Sequence, residues 1–459
     1  MAKFISDQNP KFTEGSTIKH ILVMSGASSI GLIALFLVDL LDMLFISMLG
    51  EVELAAAVGF AGTLVFFSTS ISIATSIAMG TLVSKAIGEK NRGYAKQLSI
   101  SIMITAFTIN VFVSGAIFFY MSDLLSVIGA LGYAAERAKA YLYILLPSTP
   151  VIALAMASGA GLRAVGDAKR SMLATLLGGV VNAILDPLFI FGFSWNVEGA
   201  AFASVIARLT VFGFSMYSLI FIHKLVARPS FFDWLNNIKV ILTIVIPAAI
   251  TNIATPIGNV IATSFIARFG ADFVAGYTVI GRLTPVCFVA IFALSGAVGP
   301  ILGQNFGAKK FDRVKEILNN SLIVVVSYTI FVCIILYFIQ GFIIQSFSLE
   351  GDASKIVSAF CTYVAISFIF NGTLFLANTF FNNFGKPFYS TALNLGKATF
   401  GTLPFVYVGS QWFGALGVLY GQALGAMLFG VIAITVLRAH CKCYVKLKAS
   451  NKKNTLWII

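Results

Sequence analysis

Long apolar stretches are the feature that most limits what this chain can fold into. A helix needs roughly 20 mostly apolar residues to cross the hydrocarbon core of a bilayer, and the sequence offers such a stretch twelve times. They fall at 21–49, 55–83, 98–119, 138–161, 170–192, 198–222, 240–267, 273–302, 319–343, 355–381, 388–408 and 413–437. The alternating pattern of a transmembrane β-barrel is absent. The sequence therefore predicts an all-α membrane protein with twelve transmembrane helices.

The composition agrees with this prediction. Charged residues make up 11% of the 459 residues, and 58% are apolar, whereas an ordinary soluble domain is about 25% charged. The five Cys show no CxxC spacing, and the three His lie near the ends of apolar stretches. A soluble enzyme and a disulfide-stapled scaffold are thereby excluded, and no firm metal site is predicted.

The net charge of +13 would suggest a nucleic-acid partner in a soluble protein, but the positions of the charges argue otherwise. Most Lys and Arg fall near the two termini and in the loops that follow even-numbered helices. The loops on the opposite side hold only Arg137, Lys139, Arg268 and Lys355. Positively charged loops stay in the cytoplasm. We therefore expect both termini to be cytoplasmic, in the inner membrane of a prokaryote, and we expect no nucleic-acid partner.

The two halves of the chain repeat. Residues 18–22 resemble residues 238–242 at an offset of 220, and Gly166 matches Gly385 at an offset of 219. Because each unit has six helices, both insert in the same orientation, related by a pseudo-twofold axis along the membrane normal, as in secondary transporters. The predicted parts are an N-terminal lobe at 1–222, a cytoplasmic linker at 223–239, a C-terminal lobe at 240–437 and a basic cytoplasmic tail at 438–459.

Three segments resemble a known transporter family. They are Gly161-Leu-Arg-Ala-Val-Gly-Asp167, Asn182-Ala-Ile-Leu-Asp186-Pro and Val38-Asp-Leu-Leu-Asp42. This pattern resembles the multidrug and toxic compound extrusion (MATE) family, and the resemblance extends over the whole chain. Helices seven to twelve contain no Asp or Glu away from their ends, which is similar to the DinF-like branch. The resemblance implies that Asp42, Asn182 and Asp186 form the coupling cluster, in the N-terminal lobe.

Depth in the membrane supports this cluster independently of the family. With 1.5 Å of rise per residue, Asp42, Asp186 and Ser204 each lie roughly 9–12 Å from the same membrane surface. Asn182 is one turn from Asp186 on the same helix face. Two neighbouring carboxylates repel each other, so one should hold a proton, while Asn182 and Ser204 offer oxygens for Na⁺ or hydrogen bonds. The alternative is a static polar contact between helices.

Four further charged residues lie inside the predicted helices, where an ionisable group is a functional hypothesis by default. Asp39 and Arg208 share a depth of about 15 Å, which predicts an ion pair; otherwise Asp39 faces the cavity as a second proton site. Arg282 and Lys397 have no acidic residue within their helices. They either line a central cavity and bind an anionic substrate, or donate hydrogen bonds to backbone carbonyls.

These observations predict a secondary active antiporter that exports amphipathic, mostly cationic organic compounds in exchange for H⁺ or Na⁺ by alternating access. No ATP-binding or catalytic motif occurs, so we expect neither an enzyme nor a cofactor. The expected partners are the lipid bilayer and small organic substrates, and the protein should act as a monomer. The alternative is a flippase for lipids or lipid-linked oligosaccharides of the same superfamily.

Overall fold

The computed structural model describes residues 10–49 and 51–450, and these residues are almost entirely helical. The helices of the first half are α1 Thr17–Ser47, α2 Val52–Ala78, α3 Ser84–Gly88, α4 Arg92–Phe119, α5 Met121–Val127, α6 Gly132–Leu145, α7 Thr149–Ala164, α8 Ala168–Pro187 and α9 Asn196–Tyr217. Those of the second half are α10 Phe231–Ile266, α11 Ala271–Cys287, α12 Val289–Gly307, α13 Phe311–Ser346, α14 Gly351–Ala359, α15 Phe368–Asn383, α16 Pro387–Gly396 and α17 Leu403–Ser450. Short π and 3-10 segments join several of them.

The predicted twelve-helix, two-repeat fold is confirmed. Eleven stretches within the described residues are long and apolar enough to cross a membrane. One of them, Pro387–Tyr444, contains both of the last two predicted helices, because the chain reverses at Gly414 inside α17. The predicted eighth helix is built from α11 and α12, which meet at Phe288. Gly50, which closes the first predicted helix, lies outside the described residues, as does the end of the tail beyond residue 450.

The chain divides into two compact units whose boundaries differ from the sequence boundaries in two places. Among the described residues, the first unit contains Lys11 and Gly26–Ala249, and the second contains Phe12–Ser25 and residues 250–450. The beginning of α1 therefore packs with the C-terminal helices. The linker and the beginning of α10 pack with the N-terminal helices.

The packing of the beginnings of α1 and α10 follows the internal repeat. In the second unit Asn320 donates a hydrogen bond to the Thr17 hydroxyl (2.7 Å). In the first unit Asn237 donates to the Ser101 hydroxyl (3.3 Å). Asn237 is the repeat counterpart of Thr17 at an offset of 220, and Ser101 is that of Asn320 at 219. The same contact is therefore made twice, with the amide and the hydroxyl interchanged.

A close glycine contact brings the two parts of α17 together as an antiparallel hairpin. Gly414 has φ +61°, a left-handed conformation that glycine adopts without strain. A Cβ added to Gly417, after this turn, would overlap the carbonyl oxygen of Gly409, before it. A Cβ added to Gly425 would overlap the carbonyl oxygen of Gly401, in the π segment just before α17. Small residues let membrane helices approach closely and gain van der Waals contact.

A half-buried ion-pair cluster lies where α7 meets α8. Asp167 caps α8 by accepting a hydrogen bond from the Arg170 backbone nitrogen (3.1 Å). Its other oxygen accepts from the Arg170 guanidinium (2.5 Å) and from His223 Nε2 (2.8 Å). Arg92 donates to the His223 carbonyl (2.6 Å). Burial raises the pKa of Asp167, but the hydrogen bonds from His223 and Arg170 outweigh it and hold that pKa below its ordinary value.

We predict that Gly417→Ala destabilises the protein, because its methyl group would meet the Gly409 backbone and force the helices apart. Overpacking of this kind costs about 1–3 kcal/mol. Gly341→Ala is the matched control, since a Cβ there meets nothing within 4 Å and Ala is the better helix former. Thermal unfolding of both variants in one detergent tests this, and equal Tm values would show that the close contact contributes nothing.

We predict that Asp167→Asn lowers the Tm at pH 7, because Asn keeps the helix cap but loses the ionic hydrogen bonds, worth about 1.5–3 kcal/mol each. The folded-state pKa lies below the unfolded value of about 3.9, so this stabilisation is present above that pH and declines as the pH falls further. The Tm difference from the wild type should therefore be larger at pH 7 than at pH 3.5. Exposed Asp123→Asn should show neither effect, and a pH-independent difference would contradict the ionic explanation.

Candidate functional site

The structure brings together three of the four residues predicted to couple cations. Nδ2 of Asn182 on α8 donates hydrogen bonds to Asp42 on α1 (3.1 Å) and to Asp186 one turn further along α8 (2.5 Å). Asp186 is fully buried, Asn182 is buried, and Asp42 is half-buried. One amide therefore bridges two carboxyl groups inside the first unit, and the coupling role of this cluster stays a prediction.

A small residue on α8 positions the cluster. A Cβ added to Gly179 would lie 3.2 Å from a methyl group of Val38 on α1, so α1 lies directly against this face of α8. Asn182 and Asp42 follow one turn later on each helix, where side chains three and four residues apart share a face. Pro187, which cannot continue the regular hydrogen-bond pattern, ends α8 immediately after Asp186.

The cluster has more acceptors than donors. Asp186 Oδ1 is buried without a hydrogen-bond partner among the described residues, and the carboxyl groups of Asp42 and Asp186 lie within hydrogen-bonding reach of each other. Two neighbouring carboxylates repel each other in a low-dielectric setting, and Asn182 provides a single nitrogen to both. The arrangement is chemically suited to take up one proton or one small cation.

Tyr141 is a member of this neighbourhood that the sequence reasoning missed. It is buried on α6, near Ser204 on α9 and near both Asp42 and Asp186. Ser204 thus belongs to the same polar region as the acids, next to Tyr141. The sequence feature that could have indicated it is a Tyr within the predicted helix 138–161, because a buried Tyr hydroxyl normally finds a hydrogen-bond partner.

The predicted Asp39–Arg208 ion pair is wrong. Arg208 donates instead to the Ser148 hydroxyl (2.8 Å), in the 3-10 turn before α7, and to the Leu145 carbonyl (3.4 Å) at the end of α6. Asp39 is exposed, and no ion pair within residues 10–49 and 51–450 includes either side chain. Equal depth was the argument for the pair, but depth does not fix the direction in which a side chain leaves its helix.

The two cations predicted in the second half lie in different environments. Arg282 is exposed on α11. Lys397 is half-buried in the π segment Lys397–Gly401, where its ammonium donates to the side-chain oxygen of Asn371 on α15. The described partner of Lys397 is thus a side-chain amide and not a backbone carbonyl.

Comparison with known protein families gives one match that occurs twice. The sequence model of the MatE family matches residues 27–188 and again residues 247–408. The second match begins and ends 220 residues after the first, which is the offset that the sequence repeat predicts. Together the two matches cover more than half of the chain.

Two similar proteins align with nearly the whole chain. A FAD transporter from Shewanella oneidensis is 26% identical, with 92% of this chain and 94% of that protein aligned. The multidrug export protein MepA from Staphylococcus aureus is 22% identical, over 93% of this chain and 94% of its own length. The similarity therefore extends over both halves of the molecule.

Solved structures share the fold. The bent form of the MATE transporter VcmN from Vibrio cholerae superposes with a TM-score of 0.87 at 22% identity, over 93% of this chain and 98% of that one. A transporter of the MOP superfamily from Pyrococcus furiosus also gives 0.87, at 20% identity, over 95% of this chain and 98% of that one. At these identities the likeness is evidence for the architecture alone.

Proposed function

This chain belongs to the MatE family of membrane transporters, and we propose that it exports amphipathic organic compounds in exchange for H⁺ or Na⁺. It is a multi-pass membrane protein and not an enzyme. We propose that it lies in the cytoplasmic membrane of a prokaryote, as its bacterial relatives suggest, with both termini inside, as its loop charges favour, and that it acts as a monomer. MepA, which aligns with this chain over nearly its whole length, is named a multidrug export protein.

The observation that carries the proposal is the bridge from Asn182 to Asp42 and Asp186. A purely structural polar contact between helices needs only neutral hydrogen-bonding groups. Here two acids lie beside one amide, and a buried oxygen of Asp186 lacks a partner among the described residues. A proton or Na⁺ from outside supplies the missing positive charge, which makes the site responsive to an ion gradient.

Ion binding and export are coupled through this charge. The unloaded cluster carries negative charge, which favours a cationic substrate in its field. Loading the cluster with H⁺ or Na⁺ removes that charge and weakens the attraction for the substrate, and the same coupling free energy acts in both directions. Substrate binds on the inside, where the ion is released, and leaves on the outside, where the ion binds. An inward ion gradient therefore drives substrate outward.

The position of Asp42 on α1 gives the charge change a mechanical consequence. Asp42 accepts a hydrogen bond from the Asn182 amide of α8 (3.1 Å). When Asp42 carries a proton, its carboxyl becomes a donor as well as an acceptor, so the hydrogen bonds between α1 and α8 rearrange. The packing of α1 against α8 at Gly179 turns a local change of charge into a shift of the helix.

We predict that Asp42→Asn abolishes gradient-driven export, because Asn cannot gain or lose a proton yet keeps a similar shape. Purified protein would be reconstituted in liposomes with ethidium, and transport would be followed by fluorescence under an imposed pH gradient and, separately, a Na⁺ gradient. The variant should transport no faster than protein-free liposomes. Transport at the wild-type rate would contradict the assignment of this cluster.

Asp39→Asn is the discriminating variant, since it removes the same charge from the same helix one turn earlier. The Asn182 amide binds Asp42 and Asp186 and not Asp39, so this variant should keep ethidium transport. If Asp39→Asn abolishes transport and Asp42→Asn does not, the coupling acid is Asp39. Transport by the wild type under a Na⁺ gradient alone would identify Na⁺ as the coupling ion.

A further inference from the structure

Lys397 is a positive charge inside the second unit without an acidic partner. No ion pair among the described residues includes it, and its ammonium contacts the neutral side chain of Asn371. A lysine at the centre of a membrane helix costs roughly 2.5–3.5 kcal/mol, and a single amide oxygen satisfies one of its three donors. The described acids of this unit lie in loops or near helix starts, at Glu14, Asp272, Asp312, Glu316, Glu350 and Asp352.

Two asparagines of α15, Asn371 and Asn378, each use the side-chain oxygen as an acceptor, toward Lys397 and Asn394 respectively. The Asn371 oxygen accepts from the lysine, so its amide nitrogen is not used in that contact. Asn378, two turns along the same face of α15, accepts a hydrogen bond from Asn394 (2.8 Å) through its oxygen, so its nitrogen is likewise not used in that contact. Asn371, Asn378 and Lys397 are each half-buried, so their side chains keep accessible surface.

Packing within each unit fixes which residues of the two repeats correspond. In the first unit Gly179 on α8 lies against Val38 on α1. In the second, Gly258 on α10 lies against Ala398, with a Cβ added to the glycine 3.8 Å from the Ala398 Cα. These pairs are related by offsets of 220 and 219, so α10 packs on the α16 region as α1 packs on α8.

When the two repeats are aligned in this way, the acid cluster of the first unit and Lys397 of the second lie about one turn apart along equivalent helices, with opposite charge. The counterparts of the acid cluster are apolar in the second unit: Ala262 for Asp42, Gly401 for Asn182 and Phe405 for Asp186. Lys397 lies one turn before Gly401, and its counterpart in the first unit is Gly178. The counterparts of Asn371, Asn378 and Asn394 are Ile152, Gly159 and Thr175. The shared fold therefore forms without a lysine or amides at these positions.

We propose that Lys397, with the amides of Asn371 and Asn378, forms a subsite that binds the phosphate or carboxylate group of an amphipathic organic substrate. These three side chains supply a positive charge and amide donors, and none of them is an anion. Positive charge and hydrogen-bond donors are what an oxyanion requires for binding. The proposal rests on the proposed transport function for its physiological role and extends the substrates to anionic and zwitterionic compounds.

Two flavins provide a matched pair of probes for this subsite. Riboflavin and riboflavin 5′-phosphate share one fluorescent ring system and differ only in the phosphate. Binding of each to the purified full chain in phosphatidylcholine nanodiscs would be measured by fluorescence. The wild type should bind the phosphate ester more tightly than riboflavin, and Lys397→Met should weaken binding of the ester roughly 10- to 100-fold, the size of a charge-assisted hydrogen bond.

Further variants separate the subsite from a folding defect. Lys397→Arg should keep the preference for the ester, while Asn371→Ile, which installs the residue of the other repeat, should reduce it. Lys355→Met removes an exposed lysine of the same unit, paired with Asp352, and should change nothing. Riboflavin binding equal to that of the wild type shows that a variant is folded. Equal affinity of the wild type for both flavins, or an unchanged preference in Lys397→Met, would overturn the subsite.

Two further measurements distinguish a lipid headgroup from a free substrate as the bound anion, and failure of the subsite from failure of the proposed export function. Loss of ester binding in phosphatidylglycerol nanodiscs would keep the anion subsite and assign it to a lipid headgroup. Lys397→Met should still transport ethidium along a pH gradient, whereas Asp42→Asn should fail to transport it and yet keep the preference for the ester. If ethidium transport fails in the wild type while that preference is lost in Lys397→Met, the export proposal falls and the subsite stands.

Discussion

The absence of water from the hydrocarbon core of a bilayer is the constraint on which this structure depends. Every backbone amide there must find its partner within the protein, and a helix does so within a single segment. The chain meets this requirement with long apolar helices and closes its last hairpin at Gly414 through glycines that bring two backbones into contact. The same constraint makes each polar side chain inside the helices costly, so each one calls for a local physical explanation.

Those explanations differ between the two units. In the first, a single amide of Asn182 holds Asp42 and Asp186 together, and acceptors are in excess. In the second, Lys397 meets Asn371, and donors are in excess. Because the two units repeat one packing plan, with α1 on α8 and α10 on the α16 region, the difference resides in side chains that the fold does not need. Functional chemistry is thus placed on a duplicated scaffold.

Much of this arrangement could be predicted from the sequence, and the reasons are local. The length of an apolar stretch and the distribution of Lys and Arg depend on neighbouring residues alone, so the helices, the repeat and the family were within reach. The meeting of Asp42, Asn182 and Asp186 was also accessible, because depth along a helix and the spacing of four residues are simple geometry. The pairing of Asp39 with Arg208 failed because depth leaves the rotation of each helix open, and rotation is set by packing. Tyr141 was missed for the same reason.

The sequence by itself determined that the chain crosses a membrane as helices in two similar halves and that acids lie at matching depths in the first half. Only the tertiary structure decided which side chains meet. It placed Arg208 on Ser148 and Lys397 on Asn371, and it packed the beginning of α1 with the C-terminal helices. The physical reason is that hydrophobic length is a property of a segment, whereas the direction of a side chain follows from the close packing of helices distant in sequence.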